Sequence, residues 1–164
     1  ENLCVAYLSE YGIPVKVLRL TQTFGPGVDY NDGRVFAEFA RCAIEKKNII
    51  LKTKGETERS YLYTTDAVLA IFVVLLYGEN GEAYTAANEN TFCSIYNMAQ
   101  MVANMSGIEV VIEEGNASQM GYANTLHMDL DTTKLQNLGW KATVTLKEMY
   151  RSLIDFMIKN KRDG

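Results

Sequence analysis

The sequence predicts an α/β protein, and three observations carry that expectation. A helical stretch from Leu3 to Tyr11 is stopped by Gly12 and Pro14, then passes straight into a leucine and β-branched run from Val15 to Leu20. Helix, tight turn and strand make half of an α/β repeat, and helical and strand-like periods keep alternating to the end of the chain. Ala67 to Tyr77 is apolar nearly all round, a pattern that needs cover on more than one side.

The elements follow in order. In the first helix, Leu3, Cys4, Tyr7, Leu8 and Tyr11 recur at helical spacing. The strand after it enters a loop of breakers, Gly25, Pro26 and Gly27. Behind the polar start Asn31-Asp32-Gly33, apolar residues at 3.6 spacing predict a helix from Val35 to Ile44. Ile49 to Leu51 and Arg59 to Tyr63 read as short strands, and Thr64-Thr65-Asp66 as the N-cap of the apolar helix. Gly78 to Gly81 is a turn and Ala83 to Ala87 a strand. Ser94 to Met105 is a helix with Ile95, Met98, Ala99 and Val102 on one face, ended by Gly107. Ile108 to Ile112 reads as a strand and Gly115 to Tyr122 as a loop. Thr132 to Leu138 is a short helix with Asp131 as N-cap and Gly139 as its stop, and Leu146 to Ile158 a final amphipathic helix.

Composition narrows the class. A chain of 164 residues with 48% apolar and 22% charged content fits one globular domain with a real core. Its net charge of −4 comes from interspersed acids and bases, so there is no basic stripe and nucleic acid is not an expected partner. Cys4, Cys42 and Cys93 are an odd number at wide spacings, which fits a reducing cytoplasm better than a disulfide framework or a zinc site. The longest apolar run is well short of the ~18 to 20 residues of a membrane span, so no membrane partner is expected either. No charged leader segment opens the sequence and its first residue is Glu, so the chain is expected to begin inside a longer protein.

Candidate chemistry is sparse. A dinucleotide-binding domain needs a Gly-rich turn between its first strand and helix, because backbone must approach the pyrophosphate closely. Gly25 and Gly27 lack a third glycine at the right offset and do not supply it. His127 is the single histidine, which excludes multi-histidine metal sites; it reads as structural or solvent-facing. The acid pairs Asp129 with Asp131 and Glu113 with Glu114 read as solvated edges or a helix start, and no metal site is expected. Arg59 stands apart. It lies four residues after Gly55 where a turn passes into a strand, a place where a guanidinium can fork onto phosphate oxygens.

Taken together, the segments resemble the extended short-chain dehydrogenases, the NAD-dependent epimerase/dehydratase family acting on nucleotide sugars. The family's L-R-x-x-N-V-Y-G-P appears as Leu18-Arg19-Leu20-Thr21-Gln22-Thr23-Phe24-Gly25-Pro26. Its G-x-x-x-R-D-x-x-Y-V-x-D-x-A is similar to the run from Gly55 through Arg59, Ser60, Tyr63 and Asp66 to Ala67. Gly81-Glu82-Ala83-Tyr84-Thr85 resembles its G-x-x-Y-N strand, and Asp131 to Trp140 its D-x-x-K-x-x-x-L-G-W ending. Gln22 and Thr85 stand where the family has Asn, and Ser60 where it has Asp. A second family arginine has no counterpart between Gly115 and Asp131.

The resemblance implies the C-terminal part of an extended Rossmann-fold dehydrogenase. Residues 1–28 would be the end of the catalytic helix and a late Rossmann strand. Residues 29–164 would form the small mixed substrate-binding region, with 65–87 packing back on the Rossmann sheet. Glu1 falls where the family has a glutamate four residues after its catalytic lysine. The Tyr-x-x-x-Lys pair and the Gly-rich turn would then lie upstream, leaving no catalytic residue in this chain. The implied substrate is a nucleotide-diphosphate sugar, transiently oxidised at its fourth carbon by NAD, and the implied assembly a homodimer. Thr21 and Gln22 would lie beside the cofactor, Gln22 also by the substrate phosphates, Ile50 and Lys52 along the base and Arg59 on the pyrophosphate. Epimerase and dehydratase outcomes stay open. The alternative is a module that binds a nucleotide sugar, or simply interacts, without redox chemistry.

Overall fold

The structure, a computed structural model, describes residues 1–113 and 125–161. In chain order the elements are α1 (Asn2–Tyr11), β1 (Val17–Leu20), β2 (Gln22–Phe24), α2 (Val35–Glu45), β3 (Ile49–Leu51), β4 (Glu58–Tyr63) and α3 (Thr64–Tyr77). They continue as β5 (Ala83–Ala86), β6 (Asn88–Ser94), α4 (Ile95–Ser106), β7 (Val110–Ile112), β8 (His127–Met128), α5 (Thr133–Gln136) and α6 (Leu146–Lys161). The expected Gly115 to Tyr122 loop and Glu114 lie outside the described residues.

The described residues form three small sheets. β1 pairs with β5 and β3 with β7, both in parallel, while β4 is flanked in parallel by β2 and β8 and antiparallel by β6. At Thr21 the chain changes partner: its N–H still reaches Ala86 O at 3.1 Å, but the next residue already pairs with Tyr61. One sequence run is therefore two short strands, and the loop expected after Leu20 starts later.

β4 alternates between two cores, as a pleated strand must. Tyr61 joins Phe24, Phe36, Phe39, Met98, Tyr150 and Leu153 in a core closed by α2, α4 and α6. Leu62 turns the other way, to Ala70, Val74, Tyr84, Leu135 and Trp140 under α3. β6 escapes sequence patterning because Asn88, Glu89, Asn90 and Thr91 show no apolar alternation. Its place is fixed by a side chain instead: the Thr91 hydroxyl accepts the Tyr61 N–H at 2.8 Å where the β4–β6 register shifts.

Two expected helix caps are corrected. α3 starts at Thr64 with Tyr63 at its N-cap and no side-chain cap bond, because Asp66 is recruited elsewhere. Buried in the first turn, Asp66 accepts from Thr143 N and Oγ1, both at 3.0 Å, and from Val144 N at 3.2 Å. Trp140 Nε1 donates to the Asp66 carbonyl at 3.0 Å. In α5 the N-cap is Thr132; Asp131 accepts the Thr133 N–H at 2.8 Å, and the Thr133 side chain first and its N–H second hold the Asp131 carboxyl below the usual range. α4, by contrast, is capped by Ser94, whose side chain accepts from Asn97 N, and closed by Gly107 in the left-handed region.

The all-round apolar α3 covers β1, β2, β4 and β5 with one face and leaves the other open. Leu69, Phe72, Leu75, Leu76 and Tyr77 are each about half exposed or more, and so are Leu3 and Tyr11 of α1. Among the described residues β1 pairs with β5 alone, so its other edge is open. Surfaces of this kind associate. The 164-residue chain is expected to form dimers or larger species and to bind an apolar dye; a clean monomer by light scattering that leaves the dye dark would contradict this.

Candidate functional site

Gly55 is the pivot of the approach to β4. Its φ of +69° suits glycine, and a Cβ there would meet Tyr96 N at 2.9 Å. Its carbonyl accepts that same N–H at 3.0 Å, so the turn is pinned to the start of α4. Four residues later Arg59 enters β4, opposite Cys93 of β6 and Met128 of β8.

Gln22 opens β2 opposite Tyr61. With Arg59 two residues before Tyr61 on the same strand, the pleat puts Gln22, Tyr61 and Arg59 on one face. The strand pairing thus places Gln22 and Arg59 on the same face, two residues apart in register. The β6 side of that face is irregular: Arg59 pairs with Cys93 and Tyr61 with Asn88, so β6 spends five positions where β4 spends two. Bulges of this sort re-aim side chains beside functional sites.

Arg59 is half-buried, and its Nε is buried with no hydrogen-bond acceptor among the described residues. No ion pair among the described residues neutralises it. Its neighbour Glu58 is engaged by His127, whose Nδ1 lies 2.6 Å from Glu58 Oε2. Directly opposite Arg59 stand Cys93 and Met128, neither of them an acid. Burial pushes the Tyr61 hydroxyl well above its ordinary pKa and raises the Cys93 thiol to about 11. Both therefore stay neutral near pH 7, and neither supplies the counter-charge a guanidinium needs. Tyr61 and Cys93 were given no role from sequence; their contact with Arg59 depends on strand register, which residue spacing along the chain does not encode.

Ile50 and Lys52 lie apart from this pair, on and just beyond β3 in a different sheet. Ile50 is exposed opposite Val111, and Lys52 Nζ bridges Glu113 Oε2 at 2.6 Å. Both partners of that bridge are about half exposed, and such a pair is worth under ~1 kcal/mol and yields easily to a better one. Thr21 is occupied: its hydroxyl donates to Ser60 O at 2.7 Å and its carbonyl accepts from the Thr23 hydroxyl at 2.9 Å. His127 is exposed on the two-residue β8, and no group of three or more metal-ligating side chains occurs among the described residues. No described helix is long and apolar enough to cross a membrane. The cysteines are free thiols.

Comparison with known proteins adds a family and a fold. The model of the NAD dependent epimerase/dehydratase family matches residues 1–88, more than half of the chain. UDP-glucuronic acid decarboxylase 1 of Xenopus tropicalis is 28% identical over 163 residues, covering 97% of this chain and 37% of that protein. dTDP-D-glucose 4,6-dehydratase of Homo sapiens is 25% identical over 169 residues, covering 98% and 46%. The UDP-glucose 4-epimerase of Thermotoga maritima, solved with UDP-glucose, superposes with a TM-score of 0.82 at 23% identity, over 95% of this chain and 50% of the other. The chain spans about half the length, or less, of these proteins. The fold is that of part of an extended Rossmann-type dehydrogenase.

Proposed function

We propose, from the premise that the chain belongs to the NAD dependent epimerase/dehydratase family, that it is the nucleotide-sugar-binding portion of an enzyme of that family. The observation that carries this reading is Arg59: a guanidinium whose Nε is buried with neither an acceptor nor an ion pair among the described residues, on one strand face with Gln22. A pyrophosphate brings about two negative charges and planar oxygen pairs, which a guanidinium fork matches. Gln22 would add an amide contact to the phosphates. Ile50 offers a flat apolar surface for a base, and Lys52 a cation once its bridge to Glu113 yields. With Ser60 in place of the family's Asp and no second arginine in the segment before Asp131, Arg59 carries more of the phosphate binding than its family counterpart.

The residues present fit the sugar nucleotide and do not by themselves fit NAD. No Gly-rich turn joins a strand to a helix start, and the polar groups of Thr21 are already bonded within the fold. NAD supplies reversible hydride chemistry at the sugar's fourth carbon, and in our reading residues beyond this chain hold it and provide the tyrosine base. The same missing body would cover the open face of α3 and the free edge of β1. The enzyme would be cytoplasmic, in keeping with its free thiols, and a homodimer.

This is tested on the 164-residue chain by calorimetry. UDP-sugars or dTDP-sugars are expected to bind, weakened by Arg59→Ala, while NAD gives no saturable heat and no epimerase, dehydratase or decarboxylase turnover is seen. Micromolar NAD binding would overturn the division of labour; sugar-nucleotide binding indifferent to Arg59 would overturn the site.

A further inference from the structure

Lined by none of the residues of the Arg59 site, a surface groove of about 500 Å³ opens between the C-terminal ends of α2 and α4 and one stripe of α6. That size falls within the ~300 to 1,000 Å³ of small-molecule sites. The stripe is Lys147, Arg151, Ile154 and Ile158, spaced as neighbours along one helix face. It lies beside the face that sends Met149, Tyr150, Leu153 and Met157 into the core. α6 therefore has an apolar surface beyond what its core requires. Ile154 and Ile158, with Ile44 and Met105 across the groove, form a half-buried apolar floor.

The rim is cationic on a chain whose net charge is −4. Lys46 is matched: its Nζ donates to Ser106 O at 2.9 Å, at the carbonyl end of α4. Lys147 and Arg151 are exposed and make no hydrogen bond or ion pair among the described residues. Asp155, four residues after Arg151, also lines the groove and forms no bridge to it. Glu148, three residues before Arg151 and a neighbour on the helix surface, is held first by Thr145, whose Oγ1 lies at 2.6 Å and N at 2.9 Å, and feels the Arg151 charge as well. Three cations, Lys46, Lys147 and Arg151, thus line the groove against one acid, Asp155, and the negative ends of two helices, each equivalent to about half a charge, which leaves roughly one positive charge in excess. That balance accepts one negative charge and resists two. Met105 and Lys147 also border a second hollow, lined by Asn97, Gln100 and Asn104, so the groove continues past the cations instead of ending at them.

We propose that this groove is a second ligand site, which takes an amphipathic monocarboxylate: its apolar chain lies on Ile44, Met105, Ile154 and Ile158, and its acid head between Lys147 and Arg151. The charge pattern selects the head, and the half-buried isoleucines select the chain. No step of the proposed sugar-nucleotide chemistry depends on it.

The test titrates the 164-residue chain with decanoate, below its micelle-forming concentration, and follows the methyl signals of Ile44, Ile154 and Ile158 by NMR. Saturable shifts centred on these residues are expected. The double variant Lys147→Glu/Arg151→Glu should weaken binding by about tenfold or more, since both charge-assisted contacts are lost, whereas Lys159→Glu on the same helix should not. Both substituted side chains are exposed, so the fold is retained. Decanol binding as tightly as decanoate, or decyl phosphate more tightly, would overturn the proposal. So would indifference to the charge reversal, absence of saturable shifts, or shifts centred on Leu69 and Phe72 of the open α3 face.

Discussion

Replacing Arg59 by alanine in the complete enzyme is expected to weaken nucleotide-sugar affinity by roughly ten- to a hundredfold and leave NAD affinity unchanged. The magnitude follows from the ~1.5 to 3 kcal/mol of a charge-assisted hydrogen bond, each ~1.4 kcal/mol being tenfold. The upper end is favoured because Arg59 has no counter-charge to lose among the described residues: Glu58 is turned to His127, and Tyr61 and Cys93 are neutral. For the same reason the substitution should not destabilise the fold. Removing a cation whose Nε is buried without an acceptor relieves a desolvation cost, so the melting temperature should hold or rise. Arg59→Lys should recover part of the affinity, since an ammonium supplies the charge but not the planar fork. The opposite pattern, a lower melting temperature with unchanged substrate affinity, would make Arg59 a structural strand residue and remove the site.

What the sequence made legible follows a physical divide. α2 and α4 bury one stripe each, Phe36, Phe39 and Ala40 in the first and Met98, Ala99 and Val102 in the second, and both were visible as 3.6-residue periods. β3 was visible because Ile49 and Leu51 are both buried in a run of three apolar residues. β6 and β8 were not visible. Each owes its place to pairing with β4, and β6 is anchored by a threonine hydroxyl and the Asn88 side chain, which donates to Val144 O at 2.8 Å. Local composition cannot announce a strand whose stabilisation is entirely non-local. The candidate site divides in the same way. Arg59 stood out from its place after Gly55, whereas the neutral surroundings that leave it unmatched come from β4–β6 register. Asp66 was misread because a carboxylate at a helix start looks the same in sequence whether it caps its own helix or grips a segment 77 residues on.

That grip supports the second large effect. Asp66→Ala is expected to destabilise the chain by about 2 to 4 kcal/mol, a large share of the ~5 to 15 kcal/mol typical of a domain. The carboxylate is 1% exposed and takes three donors from the exposed Thr143 and the half-buried Val144, so its removal breaks three bonds at once, and water replaces them only on the Thr143 side. It also removes an acid from the first turn of α3, where the helix dipole favours it. Asp66→Asn should cost much less, ~1 kcal/mol, because one amide oxygen in the place of Oδ2 can still accept both N–H groups while the amide N–H₂ donates to the Thr143 hydroxyl. Thr143→Val deletes the Oδ1 partner alone and should also fall near ~1 kcal/mol. Trp140 bounds the damage: its indole bonds the Asp66 backbone carbonyl, which survives every substitution at this position, so the segment loosens without detaching. Urea melts at one fixed protein concentration measure all three, because self-association would otherwise shift the midpoints. If Asp66→Ala lies within about 1 kcal/mol of the parent, the three bonds contribute nothing net. The order alanine, then asparagine and valine together, is the signature of a buried carboxylate acting as a clamp between α3 and the segment that leads into α6.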